Sequence, residues 1–379
     1  MIYDLAILGG GASALMCAAN ISKKTSCIIL EQSPTLGKKL LVSGGGKCNF
    51  TNENISTNNY LANSEFISFA LESFTSKNSL NFFKNIQTIK RDFGKIFGKN
   101  SSKEFLNRLI ELNQDKKIVT SFKVCEVNFK NDLFEIKSKD SSYFSKALIV
   151  ASGSTAWPAC GVSDIGYLVA KKFGHSVVKT SPALAPMTLQ KEQFWMKELS
   201  GTSIEARVEV EGKILEDSLL FTHKGISGPL ALNISLFWKK GTIKIDFLPN
   251  LNVLKLLKSG GKKQLSSLLP LPKRFTKALL FSVNLNDLPL EKFSKEELAK
   301  IEETFHNYSF APAGTLGEVK AEVLKGGVCT DEICPKSFES KLQKRLYFIG
   351  EVLNVTGMLG GYNLHWAFAS GFSCAKRLS

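Results

Sequence analysis

At 379 residues the chain is too long for one small domain and fits two or three compact units sharing a main core. Its 44% hydrophobic and 22% charged residues describe a folded protein, with no apolar run long enough to span a bilayer. The net charge of +15 admits a polyanionic partner, yet only six of the 49 basic residues are arginine, the side chain best suited to bidentate phosphate contacts. A solvated lysine-rich surface is the simpler expectation, and nucleic acid the less favoured partner.

The chain opens on "MIYDLAILGGG", which has no basic leader region and reads as a strand, so a cytoplasmic protein is expected. "YDLAILGG" is a short buried strand, "SALMCAANISKK" has helical spacing, and "TSCIILEQ" is a second buried strand. Strand, glycine turn, helix and strand make a βαβ unit of a parallel sheet. Residues 60–115 read as mostly helical, with Ser101 and Glu104 at capping-box spacing; 117–150 reads as strands. Prolines in "SPALAPM" (181–187) mark a boundary, after which "SIEARVEVEGKILEDSLLFTH" alternates like a half-buried antiparallel sheet. Residues 250–306 are helical and lysine-rich, and "EVKAEVLKGGV" returns to strand. "KRLYFIGEVLN" is a last strand, and "GGYNLHWAFASGFSCAKRL" is a glycine turn entering a final helix. The two ends of the chain match in style, so the middle reads as an insertion between halves that pack together.

Gly9, Gly11 and Ala14 fit G-x-G-x-x-G/A between a strand and a helix, where glycine lets the backbone approach a pyrophosphate at the helix N-terminus. Glu31 ends the second strand, twenty residues after Gly11, where a carboxylate accepts ribose hydroxyls. An acidic residue there favours a ribose without a 2′-phosphate, and FAD and NAD both remain open on this motif. In "LVSGGGKCNFTN" the run Gly44, Gly45 and Gly46 weakens any regular element and points to a backbone lying close against something.

The stretch "EQSPTLGKKLLVSGGGKCNFTN" resembles the signature of the bacterial YhiN/BaiN-type (HI0933-like) flavoproteins, NAD(P)/FAD-dependent oxidoreductases. "LFTHKGISGPLALNIS", "LKGGV" and "LYFIGEVLNVTGMLGGYNLHWAFASG" resemble it too, so the likeness runs along nearly the whole chain. It implies an α/β fold: a Rossmann-like FAD-binding domain of the glutathione-reductase-2 type with an inserted β-barrel and helical region. Placed on this sequence, the FAD-binding domain covers 1–185 and 326–379. The insertion covers 186–325, with the barrel at 186–250 and 306–325 and the helical part at 251–305.

The resemblance puts Ser13, Glu31, Lys38, Lys39, Gly46, Asn49, Val124, Glu351 and Asn363 in contact with FAD. Gly44 and Gly45 join them in the loop, Gly153 and Gly350 at the ends of two strands, and Gly360 and Gly361 before the last helix. That helix N-terminus would face the isoalloxazine and stabilise negative charge on the reduced ring. Departures from the family pattern are "ASGS" at 151–154, "GVSDIGY" at 161–167, and Lys47, Asn354 and His365 in place of arginine, aspartate and glutamine.

Among candidate proton donors, His223, Tyr362 and His365 stand beside glycine motifs. Cys329 and Cys334 have the C-x4-C spacing of a redox pair but not its usual place, and read as two structural thiols. The four histidines are scattered and no CxxC exists, so no metal site is expected. The expected function is hydride transfer between FAD and a small organic substrate, with NAD(P)H as a candidate electron donor. The alternatives are an RNA-modifying flavoprotein, which the basic charge admits, and a flavin-binding redox sensor.

Overall fold

The computed structural model describes residues 1–253, 255–256 and 261–378, and the chain divides into two compact units: Met1–Ser181 with Val323–Ser379, and Pro182–Glu322. In the first unit β1 (Ile2–Leu8) leads through α1 (Ala12–Asn20) to β2 (Cys27–Leu30). β1 and β2 pair in parallel from Leu5↔Cys27 to Leu8↔Leu30, and all of β2 is buried, as a strand covered on both faces must be. This is the expected βαβ unit.

The chain continues through α2 (Lys38–Gly46), β3 (Asn49–Asn52), β4 (Tyr60–Leu61), α3 (Ser64–Ser73) and α4 (Ser76–Phe82). It then makes an antiparallel hairpin of β5 (Thr88–Lys90) and β6 (Lys95–Gly98), whose free edge β3 joins, before α5 (Ser102–Glu111). The hairpin corrects the helical reading of 60–115. Phe93 and Gly94 hold left-handed backbone at φ 58° and 69°, the pair of conformations that closes a tight hairpin and ends a helix. β7 (Lys117–Val119) adds in parallel to β2. β8 (Glu126–Lys130), β9 (Leu133–Lys137) and β10 (Ser142–Val150) follow as a meander, and β10 returns in parallel along β1. α6 (Ile165–Lys172) and β11 (Val177–Ala183) complete this half.

The second unit holds β12 (Met187–Leu189), β13 (Ser203–Val210), β14 (Lys213–Thr222), β15 (Gly225–Ser227), α7 (Gly228–Phe237) and β16 (Ile243–Asp246). α8 (Leu265–Leu268), α9 (Lys273–Ser282), α10 (Lys295–His306), β17 (Tyr308–Phe310) and β18 (Pro312–Thr315) follow. Its seven strands run in the order β17-β16-β13-β14-β15-β12-β18. The alternating stretch forms β13 and β14, in register from Ser203↔Leu220 to Val210↔Lys213, with every second residue of β13 buried. Phe275 of α9 packs on Phe221 and Phe247 at ring separations of 5.5 and 5.0 Å. Residues 254 and 257–260 of the expected helical part lie outside the described residues.

Back in the first unit, β19 (Val323–Val328) forms a two-stranded sheet with β11. β20 (Leu346–Phe348) takes the edge of β10 at Leu148–Val150, beyond the part that β9 occupies. The main sheet therefore reads β7-β2-β1-β10-β9-β8, with β20 also on β10. β21 (Thr356–Gly357) pairs with β4, and α11 (Tyr362–Leu378) ends the unit. α11 lies directly on α1: a Cβ on Gly371 would fall 2.4 Å from the Ser13 carbonyl oxygen and 3.1 Å from the Cys17 nitrogen. Among the described residues no helix is long and apolar enough to cross a membrane.

Candidate cofactor site

Three parallel strands, β1, β10 and β20, end side by side, the place where open α/β sheets bind ligands. After β1, Gly9 has φ 110°, and a Cβ on it would stand 2.5 Å from the Ala151 carbonyl oxygen, so only glycine brings the two strand ends together. Gly11 caps α1 without any side-chain hydrogen bond, and a Cβ there would meet nothing within 4 Å. A Cβ on Gly153, after β10, would likewise meet nothing within 4 Å. An uncapped helix N-terminus facing open space presents unpaired N–H groups and partial positive charge. Ala14 is fully buried, so its small size serves helix packing. Ser13 is nearly buried, and a Cβ on Gly350 would lie 2.5 Å from its Oγ.

Glu31 is fixed before any ligand arrives. Its two carboxylate oxygens each accept one backbone N–H, from Gly10 and from Ser33, both at 2.7 Å. A carboxylate oxygen has a second lone pair, which leaves Glu31 acceptor capacity for ribose hydroxyls. The segment after β7 runs beside it, with Ser121 N–H on the Ser33 carbonyl at 3.0 Å and Phe122 N–H on that of Glu31 at 2.9 Å. Val124 continues this strand-like path and is buried.

Lys39, in the first turn of α2, meets both oxygens of Glu351 at 2.7 Å, and Ser154 Oγ donates to the same carboxylate at 2.7 Å. This three-residue knot ties α2, the loop after β10 and the loop after β20 together. The resemblance singled out Lys39 and Glu351 as FAD contacts and did not single out Ser154. Its hydroxyl stands in "ASGS", where nothing local in sequence marks a partner 197 residues away. Lys38 lies near Gly161, where an added Cβ would be 3.5 Å from its Nζ.

The run Gly44, Gly45 and Gly46 has φ 56°, 65° and 81°, which breaks α2 after Val42. A Cβ on Gly44 would meet the Asn49 nitrogen at 2.7 Å, whereas one on Gly45 would meet nothing within 4 Å. So the loop is pinned at Gly44 and open at Gly45. Gly361 is pressed on β3: its Cβ would be 2.3 Å from the Thr51 carbonyl oxygen and 2.9 Å from Asn49 Oδ1. Asn363 accepts Gly357 N–H at 2.8 Å and donates to the Gly357 carbonyl at 2.9 Å, closing the turn that precedes α11. Buried Asn52 donates to the carbonyls of Gly360 and Phe93, both at 3.0 Å. Tyr362 packs on Tyr60, whose hydroxyl donates to the Tyr362 carbonyl at 3.0 Å, and burial raises the Tyr362 phenol above its ordinary value.

The histidine candidates separate. His365 exposes none of its surface, its Nδ1 pairs with Thr51 Oγ1 at 2.8 Å, and burial lowers it to about 4 against an opposing contact with the Phe74 backbone. With no exposed surface and a hydrogen bond to Thr51, His365 packs and positions the start of α11. His223 is exposed in the turn between β14 and β15 and belongs to the second unit. All eight cysteines are free. Burial pushes the Cys48 thiol up to about 12, which makes it a packing residue inside the glycine loop.

The first unit thus fits FAD on its own geometry: an uncapped helix N-terminus beside Gly11 and Gly153 for a pyrophosphate, an anchored carboxylate for a ribose, and a second glycine-led helix at the other end of the glycine loop. A model of the HI0933-like protein Rossmann domain matches residues 3–377. A ribosomal RNA dihydrouridine synthase of Haemophilus influenzae is 34% identical over 392 residues, covering 98% of either chain. The protein of that name from Escherichia coli K12 is 31% identical, over 99% of this chain and 98% of its own. A 3-dehydro-bile acid delta(4,6)-reductase of Clostridium scindens is 28% identical, over 98% of either chain. The chain belongs to the HI0933-like family of FAD-binding oxidoreductases.

Proposed function

We propose that this protein reduces a carbon–carbon double bond conjugated with a carbonyl group, that its substrate is a uracil base in ribosomal RNA, and that NADH or NADPH supplies the electrons. The names of the three relatives share one reaction type. Dihydrouridine arises by saturating the uracil C5–C6 bond, conjugated with the C4 carbonyl; a 3-oxo delta-4,6 steroid carries the same grouping. Saturation adds a hydride at the carbon remote from the carbonyl and a proton at the adjacent one, so the enzyme must hold a hydride source and a proton donor at one place. When bound, FAD supplies the hydride chemistry.

The chain's own residues do the rest. The α1 N-terminus with Gly11, Gly153 and Ser13 would hold the pyrophosphate, Glu31 a ribose, and Lys38, Lys39, Gly46, Asn49, Val124 and Glu351 the length of the cofactor. Gly360 and Gly361 bring the N-terminus of α11 close enough to stabilise negative charge on the ring. Tyr362, packed on Tyr60 in the first turn of α11 and protonated at neutral pH as any phenol is, is the proton donor we assign in this unit. The observation that carries the reading is the pair of glycine-led helices, α1 and α11, packed in one unit with the start of α1 against Gly371 in the body of α11.

The relatives with more than 30% identity over nearly the whole chain favour RNA over a steroid, and a charge of +15 suits a polyanion. A free small-molecule enone is the second reading, favoured by the relative from Clostridium scindens and by the low arginine count. The test is incubation of the FAD-loaded protein and NADPH with ribosomal RNA lacking the modification, read by nucleoside mass spectrometry. A uridine that gains a hydrogen pair is expected. Unchanged RNA beside a saturated steroid enone would move the assignment to the second reading, and no reduction of either would defeat both.

A further inference from the structure

The tip of the β5–β6 hairpin carries a feature that folding does not explain. Phe93 is 55% exposed, so its ring contributes little burial, and it holds left-handed backbone (φ 58°, ψ 29°) that costs a side chain with a Cβ conformational energy. Asparagine or glycine is the favoured residue at such a hairpin turn. The backbone that carries this exposed ring is nevertheless held firmly. Asn52 binds the Phe93 carbonyl at 3.0 Å, Gly94 accepts Glu53 N–H at 2.9 Å, and Arg91 N–H reaches the Lys95 carbonyl at 2.8 Å. Lys95 Nζ stands 5.1 Å from the centre of the Phe93 ring, and Arg91 lies over Phe97 at 4.6 Å. Lys90 pairs with Glu53 at 2.6 Å on the same hairpin.

The hairpin is also tied to the reacting end of the site. The amide of Asn52 that holds Phe93 also holds Gly360, and a Cβ on Gly360 would come within 3.6 Å of Lys95 Cγ. An exposed aromatic ring with Lys95 beside it, Arg91 on the same hairpin over Phe97, and a hydrogen-bonded link to the turn before α11 match what single-stranded nucleic acid requires: stacking for a base and positive charge for its phosphates. Resting on the RNA reading above, we propose that Phe93 is a stacking platform for a base next to the target uridine, with Arg91 and Lys95 on the adjoining phosphates.

The test measures binding of a fluorescein-labelled oligouridylate to the FAD-loaded protein by anisotropy, together with conversion of unmodified ribosomal RNA. Phe93→Ala is expected to weaken binding about 5- to 150-fold, the range for loss of one base–aromatic stack. Phe93→Trp is expected to bind within a few-fold of the unsubstituted protein. Phe93→Asn guards against a folding artefact: it suits the left-handed turn, so it should melt no lower and still lose binding. Lys95→Ala is expected to reduce the dependence of log affinity on log salt by about one. Equal affinity for the alanine and unsubstituted proteins, or no oligouridylate binding at all, would overturn the platform. Conversion of ribosomal RNA with an unchanged KM in Phe93→Ala would overturn it too and leave the reaction standing. If Phe93 governs oligouridylate binding while uridine is never converted, the platform stands and the reaction falls.

Discussion

Gly371 is the residue at which the last helix touches the first. Its missing Cβ lets α11 lie on α1 at Ser13 and Cys17, the helix that would face the pyrophosphate. Gly371→Ala should therefore destabilise the protein by about 1–3 kcal/mol, as overpacking of a tight interior does, and should weaken FAD binding as well. Paired thermal melts and flavin titrations check this. His365 gives a pH signature. Burial holds it neutral, with a folded value of about 4 against an ordinary 6.5. The unfolded chain binds the proton first, so stability is full above pH 6.5 and falls as pH drops from 6.5 toward 4, by roughly 3 kcal/mol in all. Melts of His365→Gln across that window should show a smaller acid loss, since glutamine can still accept from Thr51 and does not titrate. An identical acid loss would remove His365 from the explanation. Sequence marked this histidine through its neighbours in "GGYNLHW", but its enclosure depends on Thr51 and Phe74, from the other end of the chain.

At the scale of elements, the glycine loop separates two roles that look alike in sequence. Gly44 and Gly45 both hold left-handed backbone, but only Gly44 has an atom against the place of its Cβ. Gly45→Ala should cost the left-handed strain alone, about 1–2 kcal/mol, and Gly44→Ala more, because Asn49 stands in the way. Urea melts rank the two. If FAD lies over the open side, Gly45→Ala also lowers FAD affinity beyond what its stability loss explains. Glu351→Ala should leave Lys39 and Ser154 without their shared carboxylate, and the purified protein should retain less flavin through gel filtration. The βαβ opening was legible because its strands are continuous apolar runs and its turn is glycine-led. The β5–β6 hairpin was not, because "TIKRDFGKIF" is short and its turn places a phenylalanine where asparagine is usual. The Ser154–Glu351 contact was illegible for another reason: no local pattern records a hydrogen bond between two loops that only the sheet order brings together.

At the scale of the molecule, one unit carries the nucleotide-binding geometry, and the other carries a seven-stranded antiparallel sheet with its helices. Under the RNA reading proposed above, the net charge of +15 would favour a polyanionic substrate. The most direct measurement follows the visible flavin absorption of the FAD-loaded protein without oxygen. NADPH or NADH is added first, and ribosomal RNA lacking dihydrouridine second. The expected result is bleaching by one nicotinamide, then return of the oxidised spectrum when the RNA is added, in step with dihydrouridine formed. Return of the spectrum only with a conjugated small-molecule enone, or no bleaching by either nicotinamide, would contradict it.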